Sequence, residues 1–520
     1  MRHKRFMPFR SFLAAIAAIL IVALFSGSAN AKQPNILILI ADQLRYQSIG
    51  LTDSRAITPN IDRLAKEGMW FQNFVSSTPV CSAFRGSLLT GKYASSTGIV
   101  VNELRMSPNH DTFAHILKQA GYRTDHIGKW HIWGNVAGGH RGSKMNFVPP
   151  GPYRLGFDDY WAAYNFGHRN FSFSYWKDSP EEIKVEGEFK SAHFTDIAIK
   201  RLEEHSQSDD PFAMVLAYSP PHDPFQEENC PPDFYAPFAE MEFPYPETWS
   251  ETPDPLMDRN TDKIKWLSHW KPNLQDMMRA YYGMTYALDH QIGRILDTLD
   301  STGLADETIV IFTSDHGEMF GAQGRVFKMI FYEESARVPF IIRWPGKIPA
   351  GSRSDACMAT PDIMPTILGL CRQPIPEGVE GMNLSKVALG KDGPEPAFAL
   401  LQGMGHTFQW KDGYEWRAIR DKRFTYARYR VNGSELLFDN IRDPHQTENL
   451  ALISQHKELL SKMRAQMDAK LESISDGFHE CSWYRDNWTD NRVIVQSGPG
   501  EIKRYAGQTI PVDVNFYGVD

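Results

Sequence analysis

The sequence is poor in cysteine, with five in 520 residues, and past its first thirty positions no apolar run is long enough to span a membrane. It has no CxxC pair and no HExxH, so the common zinc frameworks are excluded. No basic block follows the N-terminus, and Lys+Arg 55 against Asp+Glu 63 gives −8, which argues against a nucleic-acid-binding face. Internal repeats and low-complexity tracts are also missing. What is present is globular material: 42% hydrophobic, 12% aromatic and 23% charged residues. The length exceeds the roughly 250–300 residues at which one core stops growing, so a large domain with a smaller one is expected.

Residues 1–31 form a separate object. Arg2, Lys4, Arg5 and Arg10 precede an unbroken apolar run from Phe12 to Phe25, and Ala29-Asn30-Ala31 supplies the small residues of a cleavage site. This reads as a secretory signal peptide, with an uncleaved anchor as the alternative. Cleavage takes the formal charge to about −12 and predicts a periplasmic or secreted protein without membrane attachment. Cys81, Cys230, Cys357, Cys371 and Cys481 are odd in number, so one is left over for other work. With Cys81 set aside, the other four allow three full pairings that sequence cannot rank.

Short β-branched runs alternate with helical patterns, which predicts an α/β fold: a large mixed sheet sandwiched by helices. Residues 35–40, 123–127, 213–218 and 308–313 read as strands. Residues 58–68 read as a helix capped by Thr58, with Pro59 at its first position and Gly68 at its end. Residues 112–121 repeat that logic, and a long amphipathic helix is expected over about 274–299. Residues 135–190, rich in aromatics, and 230–270, rich in Pro and Trp, read as long insertions over one face. After about residue 397 come three short strands, at 417–419, 424–429 and 436–439, then a helix over about 450–471. The expected division is therefore a catalytic α/β domain over 32–395 and a smaller α+β unit over 396–520.

Four predicted strands run into polar side chains: Asp42 and Gln43, Lys129 and His131, His222, and Asp315 and His316. In open α/β sheets ligands bind beyond the carboxyl ends of the strands, so these groups should gather at one edge. Asp42, Gln43, Asp315 and His316 offer oxygens and one imidazole, a set for a divalent cation. Thr78-Pro79-Val80 turns into a helical pattern that begins at Cys81, where free N–H groups favour an anion, with Arg85 one turn along. Cys81 reads as either a buried structural thiol or an activated thiolate.

Cys81-Ser82-Ala83-Phe84-Arg85, followed after four residues by Thr90-Gly91, resembles the signature of the type I sulfatases of the alkaline-phosphatase-like superfamily. Gly128-Lys129-Trp130-His131, Thr313-Ser314-Asp315-His316-Gly317-Glu318, Thr360-Pro361-Asp362 and Leu437-Phe438-Asp439 are similar to further segments of that family. The resemblance implies that Cys81 is oxidised by a formylglycine-generating maturation enzyme, whose product, 3-oxoalanine, is hydrated to become the nucleophile. It implies that Asp42, Gln43, Asp315 and His316 hold a cation that also touches residue 81. Arg85 and His131 would orient the nucleophile, while Lys129, His222 and Lys328 bind sulfate, with His222 as acid for the leaving group. Arg325 is a rival to Lys328.

Many members of the family carry Asp at the position of Gln43 and Asn at that of His316. Both departures soften oxygen ligation, leaving Ca²⁺ as the expected ion and Mn²⁺, Mg²⁺ or Fe²⁺ as alternatives. The same pairs resemble phosphonate monoester and phosphodiester hydrolases, which gives a second reading of the reaction. A catalytically inactive, secreted glycan-binding protein is the third. Ala83 stands where many members have proline, which bears on the maturation enzyme. A sulfated carbohydrate is the expected substrate. Tyr153, Tyr160, Trp161, Tyr164, Phe166, Phe171, Phe173, Tyr175 and Trp176 would either stack on its rings or form the core of their own insertion. His168 and Arg169 are placed to read a charged sugar.

Overall fold

A computed structural model describes residues 32–102, 104–134, 146–257, 266–405 and 412–490, with the backbone alone at 266–267, 490, 493–494, 496–497 and 500–501. The expected signal peptide, 1–31, lies outside the described residues. Among the described residues, no helix is long and apolar enough to cross a membrane. Cys81, Cys230, Cys357 and Cys371 are buried thiols outside any disulfide.

The main sheet has eight strands: β1 (Asn35–Asp42), β2 (Met69–Phe71), β3 (Arg123–Lys129), β4 (Tyr160–Tyr164), β7 (Phe212–Pro221), β8 (Thr308–Ser314), β9 (Phe340–Arg343) and β10 (Ser352–Ser354). The intervening β5 (Ser172–Tyr175) and β6 (Ile183–Glu186) pair separately as a hairpin. The spatial order is β10-β2-β9-β8-β1-β7-β3-β4. The five strands from β8 to β4 are parallel, whereas β9 is antiparallel to both β8 and β2. The sheet is therefore mixed, as expected.

Strand periodicity distributes β1 between two cores. Ile36, Ile38 and Ile40 join the side packed by α2 (Cys81–Thr90), α3 (Phe113–Gln119) and α6 (Ile363–Leu370). Leu37, Leu39 and Ala41 join the side packed by α1 (Pro59–Glu67), α4 (Lys190–His205) and α5 (Lys271–Ser301). With both faces covered, the strand reads as an unbroken apolar run rather than an alternating one. Fully burying each Leu or Ile here contributes roughly 1.5–3 kcal/mol before entropy is counted.

The smaller sheet is antiparallel: β11 (Ala399–Met404), β12 (Glu415–Arg420), β13 (Phe424–Tyr429) and β14 (Glu435–Asp439). One face buries Leu400, Ile419, Tyr426 and Leu437 against Met463, Met467 and Leu471 of α7 (Lys457–Ser473). The other buries Trp416, Ala418 and Phe438 beside Phe331 and Tyr332.

Four expectations need correction. The segment 135–190 is not wholly an insertion, because β4 extends the central sheet beside β3. Most of its aromatics are accordingly core: Tyr153, Trp161, Tyr164, Phe166, Phe173, Tyr175 and Trp176 are buried, which removes them as open stacking platforms. Thr58 stands at the N-cap position of α1 as expected, but its hydroxyl caps no helix N–H; it accepts from Gly50 N and donates to Asp62 Oδ1. The helix expected over about 450–471 starts at Lys457, after two 3₁₀ turns at Leu450–Leu452 and Ser454–His456.

Candidate active site

Strands β8, β1, β7 and β3 are adjacent and parallel, so their carboxyl ends open on one edge. Asp42 ends β1 and Gln43 follows at φ 67°, while Asp315 and His316 follow β8 and His222 follows β7. Lys129 ends β3 behind Gly128, whose φ is 96° and whose hydrogen faces Ala217; a Cβ there would sit 2.0 Å from the Ala217 carbonyl oxygen. Only glycine lets β3 and β7 approach this closely at the site.

Cys81 is the first residue of α2 and is buried. Its Sγ lies 3.1 Å from His316 Nε2 and 3.7 Å from Asp42 Oδ1. Burial, with the Asp42 charge, pushes the thiol up to about 12, so the side chain stands as a neutral thiol rather than a thiolate. One turn along, Arg85 donates to the Lys129 carbonyl at 2.7 Å and to Asp315 Oδ2 at 3.2 Å, with Asp42 Oδ2 at 3.6 Å. The Lys129 ammonium is hydrogen-bonded to Asp42 Oδ2. Against burial, which raises it, the charges of Lys129, His222 and Arg85 hold the Asp42 carboxyl well below the usual range. Burial and the Asp42 charge push Asp315 up instead.

Lys328 donates to Gln43 Oε1 at 2.9 Å and lies 2.8 Å from His222 Nε2. The residues on either side of it, Phe327 and Met329, both have positive φ, at 65° and 73°. That strained turn is held at both ends of the protein's architecture: Met329 N donates to Pro79 O, in the turn before Cys81, and Trp416 Nε1 donates to Met329 O from the smaller sheet. Arg325, the rival, is instead 2.6 Å from Asp254 Oδ2. His131, at φ 62°, is tied to the same corner through its carbonyl, which accepts from Ser82 Oγ at 2.5 Å; its ring meets the edge of Phe166.

The donor set fits a divalent cation. One ligand atom each from Asp42, Cys81, Asp315 and His316 lies within 4.8 Å of all the others, and all four residues are buried. His316 Nδ1 faces the Gly317 carbonyl at 3.0 Å, which puts its proton there and leaves the Nε2 lone pair toward the two carboxylates. Gln43 adds a carbonyl oxygen to the same corner. Glu318 has a position here and no role in the sequence reading, whereas His168, expected to read a charged sugar, meets the site through His222. Glu318 accepts from Gln43 Nε2 at 2.5 Å, so it fixes the amide with Oε1 toward Lys328. His168 stacks on His222 with ring centroids 3.7 Å apart. Glu318 lies inside a quoted motif, and that proximity to His316 is the one sequence signal for it.

This arrangement, on a mixed sheet closed by a smaller antiparallel one, is that of the alkaline-phosphatase-like hydrolases. The family model described as Sulfatase matches residues 34–372, and the model described as N-sulphoglucosamine sulphohydrolase, C-terminal, matches 321–473. An ulvan-active sulfatase of Formosa agariphila is 34% identical over 471 residues, covering 90% of this chain and 86% of the relative. An endo-4-O-sulfatase of Bacteroides thetaiotaomicron is 28% identical, covering 89% and 96%. A solved structure from work on glycosaminoglycan metabolism by Bacteroides thetaiotaomicron superposes with a TM-score of 0.73 at 26% identity, covering 87% and 98%. The chain belongs to the sulfatase family and is a sulfuric ester hydrolase.

Proposed function

We propose that this is an exported sulfatase that hydrolyses sulfate esters on a carbohydrate, with formylglycine made from Cys81 as nucleophile. The observation that carries the reading is the position of Cys81 Sγ at the N-terminus of α2, 3.1 Å from His316 Nε2 and ringed by Arg85, Lys129 and Lys328. The names of the Formosa and Bacteroides relatives support a sulfated glycan as substrate.

Asp42, Gln43, Asp315 and His316 would hold the cation, Ca²⁺ before Mn²⁺, Mg²⁺ or Fe²⁺, which when bound polarises a sulfate oxygen and acidifies the nucleophile's hydroxyl. Arg85 orients the nucleophile from the next turn of its own helix, and His131 flanks it. Lys129 and Lys328 supply positive charge to the sulfate oxygens. A hydrated aldehyde carries two hydroxyls: one attacks sulfur as the alcohol departs, and loss of the proton from the other expels sulfate and restores the aldehyde. Cysteine and serine lack that second hydroxyl. His222 Nδ1 donates to Asp223 O at 2.9 Å, so its Nε2 accepts from Lys328. The proton in that contact belongs to the Lys328 ammonium; its transfer to Nε2 would equip His222 to protonate the leaving oxygen, with Lys328 left as the neutral amine.

Peptide mass spectrometry of active protein should find formylglycine at position 81, and chelation should abolish turnover until a cation is restored. Full activity with only unmodified Cys81 would overturn the mechanism. Aryl sulfate should be turned over faster than aryl phosphonate; the reverse order selects the phosphonate reading. His222→Ala should slow a sulfated sugar by about 10²–10⁴, and nitrophenyl sulfate far less, because nitrophenolate leaves without a proton. Equal slowing of both substrates would assign His222 to sulfate binding alone.

A further inference from the structure

A cavity of about 620 Å³ adjoins the site, and His168 and Phe166 are shared between the two. His168 stacks on His222, while Phe166 packs on His131. Lys190, the first residue of α4, also lines it. This lysine is 1% exposed, and its ammonium has no carboxylate partner among the described residues. Its contacts are the Gly167 carbonyl at 3.0 Å and the faces of Tyr164 and Phe173, at 4.7 and 5.4 Å from the ring centroids. A buried lysine without a counter-ion is costly to hold, and burial with the nearby Lys129 charge pushes its pKa down to about 7. His168 Nδ1 is a second incomplete group, buried without a hydrogen-bond partner among the described residues. Exposed Arg169 adds another positive charge at the rim. Among the described lining residues the one acid is Glu182, which is exposed and 3.8 Å from Lys184, and the Asp42 charge acts on Lys190 from the active site.

We infer that this cavity is an anionic subsite: Lys190, with Arg169 and His168, receives a carboxylate or a second sulfate on the sugar next to the one that carries the scissile ester. The inference rests on the sulfatase reading of the adjacent site and narrows its substrate to a polyanionic glycan. A bound anion supplies the charge that Lys190 lacks, and the aromatic faces around the ammonium keep water from screening the pair. Arg169 and Ser172 also line a second cavity of about 280 Å³ with Pro224 and Gln226, so the groove continues past the subsite.

The test uses three disaccharides that share one sulfated residue. Their neighbouring sugar is glucuronic acid, its carboxyl-reduced glucose counterpart, or that glucose bearing a second sulfate. Wild-type enzyme should favour one or both charged forms over the neutral one in kcat/KM, and the favoured form identifies carboxylate or sulfate as the anion. Lys190→Met keeps the length of the side chain and should reduce that preference about 10- to 100-fold, mainly through KM, as loss of one charge-assisted contact predicts. Arg169→Ala, at an exposed position that does not endanger folding, should reduce it less. An unchanged preference in both variants, or a wild type without preference, would overturn the subsite. Absence of turnover on all three sugars and on aryl sulfate would instead overturn the sulfatase reading beneath it.

Discussion

Lys129 and Lys190 are the same side chain at the same depth, 0% and 1% exposed, and burial penalises the charge of both. They nevertheless shift in opposite directions. Lys129 is hydrogen-bonded to Asp42 with Asp315 nearby, and those charges carry its pKa above the ordinary lysine value despite desolvation. Lys190 has a backbone carbonyl and two ring faces, and desolvation wins. The contrast separates two ways of preparing a basic site. Around Cys81, charge is compensated within the protein, so the groups are fixed before substrate arrives. In the neighbouring cavity, compensation is left to the ligand, which makes binding there selective for anions.

The largest effect should come from breaking the compensated lysine. Lys129→Met leaves Asp42 buried with Arg85, at 3.6 Å, as its one remaining lysine or arginine partner among the described residues. Turnover should fall by more than ~10³-fold, since both a sulfate-binding charge and the setting of a metal-ligating carboxylate are lost. Urea unfolding of the chelated protein should show about 3–5 kcal/mol less stability, the usual cost of stranding one member of a buried ion pair. If stability is unchanged, the Lys129–Asp42 pair does not hold this corner together.

The same contrast marks what sequence can show. The ends of β1, β3, β7 and β8 were legible because buried parallel strands are continuous apolar runs, and each runs into Asp, His or Lys. Cys81 and Arg85 were legible from a local spacing on one helix. The strand Tyr160–Tyr164 was not, because Trp161, Ala162 and Ala163 are buried consecutively at a sheet position that aromatic density disguised. The strand Ala399–Met404 was not legible either, because Gln402 and Gly403 interrupt its apolar run after only three residues. Lys190 offers no sequence signal, since a lysine opening an amphipathic helix is ordinarily solvated. Its significance lies in Gly167, Tyr164 and Phe173 closing over it. Glu318 is similar, because its role depends on which way the Gln43 amide is turned.

Lys190 also yields a smaller effect whose sign is fixed by its pKa. In the unfolded chain the group titrates near the ordinary lysine value of 10.5, and in the folded protein at about 7. Below about 7 both states carry the proton, and the folded state bears the whole cost of a buried, unpaired ammonium. Between about 7 and 10.5 the unfolded chain binds more protons than the folded one, so this lysine's contribution to stability improves as pH rises. Lys190→Met removes the cost at every pH. The variant should therefore melt at a higher temperature than wild type near pH 7, and the gap should narrow toward pH 10. At about 1.4 kcal/mol per pKa unit the difference at neutral pH is on the order of a few kcal/mol. Paired thermal melts of the two proteins across that range cancel the titration of every other group. A variant less stable than wild type near pH 7 would mean that the ammonium is already compensated, and Lys190 would then belong with Lys129.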